Sequence, residues 1–265
     1  MNNQLHIGIL AAGKGSRMES ELPKVLHQLN GKSLIDYVLD TASELNPDSI
    51  TLVVGFQKDR VKNHIQNDNV NYVSQEEQLG TGHAALQLEN QLENQSGHLL
   101  ILYGDVPNIK SSSLSPIIDE HIKENRNATL ITATLDDPTG YGRIIRNQDG
   151  DLLKIVEEKD CTQEERLVKK INSGIYVIDR TLLCKYLPYI KNNNAQKEFN
   201  IGEASAWWLH YSLEALNKSL DEKVNFFSGD PFKIIKLLIK NYDIESVSWN
   251  RCYSPWEIKR DTEIK

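Results

Sequence analysis

Leu5-His6-Ile7-Gly8-Ile9-Leu10-Ala11-Ala12-Gly13-Lys14-Gly15-Ser16-Arg17-Met18 joins an apolar run to a loop of glycine and positive charge. The run Leu5–Ala11 is apolar almost without alternation, as expected of a strand covered on both faces. A glycine loop directly after the first strand stands where open α/β sheets bind ligands. Gly13 and Gly15 let backbone N–H groups approach phosphate oxygens, and Lys14 and Arg17 supply neutralising charge. Taken alone, the stretch also reads as a plain surface turn. Gly8 and Gly13-Lys14 have the spacing of a P-loop, but Gly15 occupies the position of the Mg²⁺-holding Ser or Thr. The loop is not GxGxxG either, so a phosphotransferase P-loop and a dinucleotide-binding domain are both disfavoured.

Outward from this loop, strands and helices alternate. Ser33–Leu45 has helical periodicity, with Leu34, Tyr37, Val38, Ala42 and Leu45 on one face and Ser33 placed to cap it. Ile50–Val54 reads as a strand, Asp59–Ile65 as a short helix and Asn71–Ser74 as a strand. A helix is expected from about Gly80 to Glu89, then a strongly apolar strand, His98–Tyr103. This order predicts an α/β fold with a mixed, mostly parallel sheet between helices. Thr129–Leu135, Arg143–Arg146, Leu152–Glu157 and Ile171–Ile178 are strand candidates separated by short turns, and they predict an antiparallel or mixed extension where an acceptor could sit. Helical periodicity returns at Gly202–Leu216 and Pro231–Ile239, where Trp207, Trp208, Tyr211, Leu213 and Leu216 read as core packing. No Pro/Gly/Ser-rich linker divides the chain. The expectation is a single domain over residues 1–265, with a nucleotide-binding subregion to about residue 110 and an acceptor-binding subregion beyond.

The net charge of −7 argues against a general affinity for nucleic acid or an anionic membrane, so local basic clusters must do any phosphate binding. Cys161, Cys184 and Cys252 lie far apart without metal-binding spacing, which fits a reducing compartment. No run approaches the roughly 18 apolar residues of a membrane span, and Ile7–Ala12 is too short for a signal sequence. The chain reads as cytoplasmic, with small-molecule substrates and no membrane or nucleic-acid partner. Its oligomeric state is not legible.

Further motifs follow in order. Leu22-Pro23-Lys24-Val25-Leu26 comes soon after the glycine loop, then Gly31-Lys32-Ser33-Leu34. Next are Gln75-Glu76-Glu77-Gln78-Leu79-Gly80-Thr81-Gly82-His83 and Tyr103-Gly104-Asp105-Val106-Pro107. Asp136-Asp137-Pro138-Thr139-Gly140-Tyr141-Gly142-Arg143, Val156-Glu157-Glu158-Lys159-Asp160 and Ile171-Asn172-Ser173-Gly174-Ile175 complete the series. Together these blocks resemble the nucleotide-sugar pyrophosphorylases, a family with a Rossmann-like GT-A-type nucleotidyltransferase fold. The resemblance spans about residues 5 to 200. Within the family it is nearest to the N-terminal uridylyltransferase halves of bacterial bifunctional enzymes acting on N-acetylglucosamine 1-phosphate.

The resemblance implies roles. Leu10, Ala11, Gly13, Lys14, Gly15, Gln75, Gly80 and Thr81 would hold the nucleotide. A glutamine side chain both donates and accepts at a pyrimidine edge, which suits Gln75 for base selection. Arg17 and Lys24 would act on the phosphates as the catalytic cations. Tyr103, Gly104, Gly140, Glu157 and Asn172 would bind the sugar side, and Asp105 would hold Mg²⁺. The implied reaction takes NTP and a sugar 1-phosphate to NDP-sugar and pyrophosphate. His83, although tempting as a base, is given no catalytic role.

The pattern also has departures. There is no hexapeptide repeat, so the family's β-helix acetyltransferase half is not implied. The family's Tyr-Tyr-Leu-Thr-Asp is replaced by Phe199-Asn200-Ile201-Gly202-Glu203. The segment most like its second Mg²⁺-ligand region, Cys252-Tyr253-Ser254-Pro255-Trp256-Glu257, lacks the expected asparagine. Ser173 stands for a usual threonine. These changes fall on the acceptor and metal sides, so a different acceptor or base, or a nucleotide-sugar binder without turnover, are the competing expectations.

Overall fold

The structure, a computed structural model, describes residues 4–15, 18, 20–89, 96–147, 150–186 and 231–241. The chain divides into two compact units, Met1–Trp208 and Leu209–Lys265. In the first unit the elements run β1 (Leu5–Ala11), a 3₁₀ turn (Lys24–Leu26), β2 (Gln28–Leu29), β3 (Lys32–Ser33), α1 (Leu34–Glu44), β4 (Ser49–Val54), α2 (Lys58–His64), β5 (Val70–Ser74) and α3 (Thr81–Leu86). They continue with β6 (His98–Tyr103), α4 (Ser111–Lys123), β7 (Ala128–Thr134), β8 (Arg143–Arg146), β9 (Leu152–Val156), α5 (Gln163–Arg166), β10 (Lys170–Asp179) and α6 (Arg180–Tyr186). In the second unit the described element is the helix α7 (Pro231–Asn241). The Gly202–Leu216 helix expected from the sequence lies outside the described residues.

The main sheet has the order β5-β4-β1-β6-β10-β8-β9, with β7 also paired to β10. β5, β4, β1 and β6 are mutually parallel. β10 runs antiparallel against β6, β7 and β8, and β9 antiparallel against β8. This is the mixed sheet that the two halves of the sequence predict.

Every residue of β1 is buried, because alternate side chains serve two cores. Leu5, Ile7, Ile9 and Ala11 pack with Ile35, Val38 and Ala42 of α1 on one face. Leu10 and Ala12 pack with Ala84, Ala85 and Leu88 on the other. Burying one such aliphatic side chain contributes about 1.5–3 kcal/mol, which is why so short a strand tolerates no polar alternation. Gly8 sits inside β1, where an added Cβ would lie 2.4 Å from Leu88 Cδ1. Its smallness serves helix-on-sheet packing, and the P-loop reading ends there. Ser33 caps α1 as the sequence predicts, its hydroxyl accepting from the Asp36 N–H at 3.2 Å.

The connection from β1 leads to β4 on one side, whereas the chain after β6 continues to the other. Adjacent strands with diverging connections leave a crevice at their carboxyl ends. That crevice lies beyond Ala11 and Tyr103.

Candidate active site

A cleft of about 540 Å³ opens at that place. Its floor is the end of β1, Leu10, Ala11 and Ala12, and its rim carries Gly13, Lys14 and Gly15. Gln75, Gln78, Gly80, Thr81 and Tyr103 line it further, together with Lys24 and Asp105. Of the nucleotide-side residues expected from the sequence, all eight line this one cleft. Arg17 lies outside the described residues.

Pro23, with ψ at 134°, ends the extended loop and sets up the turn Lys24–Leu26. Val25 and Leu26 are buried in the core, which locks the turn and leaves the half-exposed Lys24 beside the cleft. Its ammonium forms an ion pair with the Asp105 carboxylate, two residues past β6. Between them, the Gly104 N–H donates to the Leu10 carbonyl at 3.0 Å and joins the two strand ends. Gly15 adopts φ +66°, and a Cβ there would come within 2.7 Å of Lys24 Cβ. The glycine loop therefore lies directly on the stem of the lysine. Lys14 stands 5.6 Å from the Phe56 ring centroid, a cation–π distance that keeps its charge at the rim.

Gln75 is 3% exposed, and its Nε2 donates to the Gly80 carbonyl at 3.2 Å, with His83 Nδ1 at 3.0 Å. A carbonyl can only accept, so this contact fixes which end of the amide is nitrogen. The Gln75 Oε1 is thereby left as the acceptor end. His83, denied a catalytic role by the sequence, is here a neighbour of the glutamine. Tyr103 hydrogen-bonds Thr81, and burial pushes its phenol up to about 12.

The residues expected on the acceptor side gather around β10 and the turn before β8. The Asn172 N–H donates to the Gly142 carbonyl at 2.8 Å. The Asn172 side chain donates to Tyr176 Oη at 2.8 Å and accepts from the Gly174 N–H at 2.9 Å. Glu157 follows β9, and its Oε1 would lie 3.2 Å from a Cβ on Gly142. Gly140 is exposed in the same turn. The Ser173 hydroxyl accepts from the Ile175 N–H at 3.2 Å and donates to the Ile131 carbonyl at 2.6 Å, so serine supplies the oxygen this β-bulge needs. Gly104, Gly140, Glu157 and Asn172 are not part of the nucleotide-side lining. Tyr103 stands between the two groups: it lines the cleft, and its ring is 2.5 Å from where a Gly174 Cβ would be. Two residues that the sequence reading left without a role, Arg143 and Glu158, meet beside the Gly140–Gly142 turn at 2.6 Å.

The nucleotidyl transferase family model matches residues 8–217. A second model, DNA photolyase, matches residues 181–265. The stretch read from sequence as a divergent end of a nucleotidyltransferase is thus also matched by a different family. The bifunctional protein GlmU of Streptococcus pyogenes serotype M12 (strain MGAS2096) is 44% identical over 198 residues, 75% of this chain and 47% of that protein. Its counterpart in serotype M3 (strain ATCC BAA-595 / MGAS315) is 45% identical over 198 residues, 75% of this chain and 43% of that protein. The chain spans less than half the length of these curated relatives.

A solved UDP-glucose pyrophosphorylase complexed with UDP-glucose superposes with TM-score 0.64 at 19% identity, covering 80% of this chain and 88% of that one. A putative glucose-1-phosphate thymidylyltransferase from Bacillus anthracis, in complex with a sucrose, gives TM-score 0.64 at 21% identity, covering 84% and 98%. Both share the fold described above, and no helix among the described residues is long and apolar enough to cross a membrane. By the match over residues 8–217, the chain belongs to the nucleotidyl transferase family.

Proposed function

We propose that the chain transfers a uridylyl group from UTP to N-acetylglucosamine 1-phosphate, releasing pyrophosphate and forming UDP-N-acetylglucosamine. The observation that carries the reading is the facing of Lys24 and Asp105 over a cleft at the ends of β1 and β6. The 44–45% identity to GlmU proteins supports this choice of substrates.

The nucleophile is an oxygen of the acceptor's phosphate, largely ionised at neutral pH, so no side chain is needed to remove a proton. That oxygen forms a bond to the α-phosphorus as the bond to the β-phosphate oxygen breaks, and pyrophosphate leaves with the electron pair. Lys24 neutralises charge that develops around the α-phosphorus, and Arg17 is assigned the same role. The N–H groups of the Gly13–Gly15 loop steady the triphosphate. Gln75 Oε1 accepts the N3–H of uracil and repels the N3 lone pair of cytosine. Gly140, Glu157 and Asn172 meet the sugar.

The donor set fits Mg²⁺: Asp105 is a hard, partly exposed carboxylate beside the triphosphate site, and this ion is commonly held by one or two carboxylates plus phosphate oxygens. When bound, the ion would neutralise phosphate charge and draw the leaving group into line.

A second reading is favoured by one observation: the segment Cys252-Tyr253-Ser254-Pro255-Trp256-Glu257, where a second metal ligand is expected, carries no asparagine. On that reading the chain binds nucleotide-sugar without turning it over. Pyrophosphate release, measured with N-acetylglucosamine 1-phosphate, Mg²⁺ and each of UTP, dTTP, CTP, GTP and ATP, separates the two. Release with UTP supports the transferase. UDP-N-acetylglucosamine binding with no release supports the binder.

A further inference from the structure

Arg143 is 1% exposed, yet it is a charged side chain at the start of β8. Its guanidinium donates to Glu158 Oε2 at 2.6 Å and, from its other terminal nitrogen, to the Tyr141 carbonyl. Its Nε is buried without a hydrogen-bond partner. Burying an arginine in this state is costly, and an apolar pair of equal volume is often as stable or more so. Stability alone therefore does not account for it.

What the pair does is visible in the turn it grips. Glu158 Oε2 also accepts the Gly140 N–H, at 3.3 Å. The Asp137 carboxylate accepts the Thr139 N–H at 3.1 Å and shapes the entry to the same turn. Main-chain groups on both sides of the Gly140–Tyr141 peptide are thus held by one ion pair: the amide before it by the carboxylate, the carbonyl after it by the guanidinium. The far end of the turn, the Gly142 carbonyl, is bound by the Asn172 N–H. Gly142 also leaves the space that Glu157 fills. A planar fork suits such a task, because its donors point in fixed directions.

We infer that Arg143 and Glu158 are positioning residues for the acceptor: they fix the Gly140–Gly142 turn so that Gly140, Glu157 and Asn172 present one surface to the sugar. Neither is assigned contact with the substrate. The inference rests on the uridylyltransferase reading and deepens it.

The test compares titrations of UDP-N-acetylglucosamine and of UDP with the full chain and with Glu158→Ala, Glu158→Gln and Arg166→Ala. Unfolding in urea is followed for each variant. Glu158→Ala should lose roughly tenfold in affinity for the sugar nucleotide, the scale of one or two lost hydrogen bonds, while UDP affinity stays within about twofold. Glu158→Gln keeps an oxygen for the Gly140 N–H and should recover part of the loss. Arg166, 3.6 Å from the other oxygen of Glu158 and exposed, should tolerate alanine.

A folded Glu158→Ala protein that still prefers the sugar nucleotide as strongly as wild type would overturn the inference. So would equal losses for both ligands, which would mark general damage. If Glu158→Ala does not fold, Glu158→Gln decides by the same comparison. A wild-type chain with neither preference for the sugar nucleotide nor pyrophosphate release would overturn the parent reading together with this one.

Discussion

Lys24 and Asp105 form an ion pair across the cleft although they are borne by separate elements, a 3₁₀ turn and the segment after β6. Each holds the other in place, and on the proposed function the lysine would serve the phosphates and the carboxylate the metal ion. Lys24→Ala should lower turnover by about 10²–10³, the scale for removing one positioned charge. Because the lysine is substantially exposed, the urea midpoint should barely move. A steady-state assay beside an unfolding curve checks both; near-normal turnover would remove Lys24 from the mechanism.

Asp105→Asn should raise the Mg²⁺ concentration needed for half-maximal rate, since a neutral amide is a far weaker ligand for a hard cation. The measurement is pyrophosphate release against free Mg²⁺ at fixed UTP. An unshifted curve would place the metal elsewhere.

Gly15→Ala tests the loop that lies on the lysine. A φ of +66° costs an L-residue about 1–2 kcal/mol, and the new methyl meets the Lys24 stem. Turnover should fall more than tenfold while the fold persists, seen as lost rate with a small drop in melting temperature. Full activity would mean that the stem shifts without consequence.

Gly174→Ala tests the junction of the two half-sites. The added Cβ would stand 2.5 Å from the Tyr103 ring on a backbone at φ +79°. Overpacking typically costs about 1–3 kcal/mol. The displaced tyrosine should raise KM for both substrates, which initial-rate kinetics would show. A change in only one KM would mean that Tyr103 serves one side alone.

Acid sensitivity should come from His98 and His121. Their rings meet at 4.9 Å between centroids, with His98 Nδ1 3.1 Å from His121 Nε2 and His121 Nδ1 2.8 Å from the Thr129 hydroxyl. Burial, then the charges of His98 and Arg126, hold His121 at about 4, with Asp179 opposing; burial also lowers His98. The unfolded chain therefore binds more protons between about pH 6.5 and 4. Stability from this pair is fully present above that window and declines as pH falls through it. Urea midpoints from pH 7.5 to 4.5 should fall, and His121→Gln should flatten the curve; an equal slope in the variant would assign the acid loss to other groups.

The strands of the main sheet and the helices α1, α2, α3 and α7 were readable because burial on two faces leaves long apolar runs and α1 carries its own cap. The helices Ser111–Lys123, Gln163–Arg166 and Arg180–Tyr186 were not; three serines open the first and Pro116 interrupts its interior, and the second is a single four-residue turn. That eight of the expected residues share one cleft was readable because they cluster in short blocks at strand ends. Arg143 and Glu158 also fall in such blocks, but their pairing was not legible, because they meet only through the β8–β9 register, in which Arg143 lies opposite Val156. The histidine pair likewise joins positions 23 residues apart.

The β8–β9 hairpin is fastened to the rest of the sheet through a single register position, Ile171 opposite Arg143. On the proposed reading, the residues for the base and phosphates sit mostly in loops that follow the parallel strands, whereas Glu157 and the Gly140 turn flank this hairpin. A lineage could therefore reshape the hairpin, and with it the range of accepted sugars, while inheriting the nucleotide pocket intact. On that reading, the sheet's connectivity makes the choice of acceptor the easier trait to evolve.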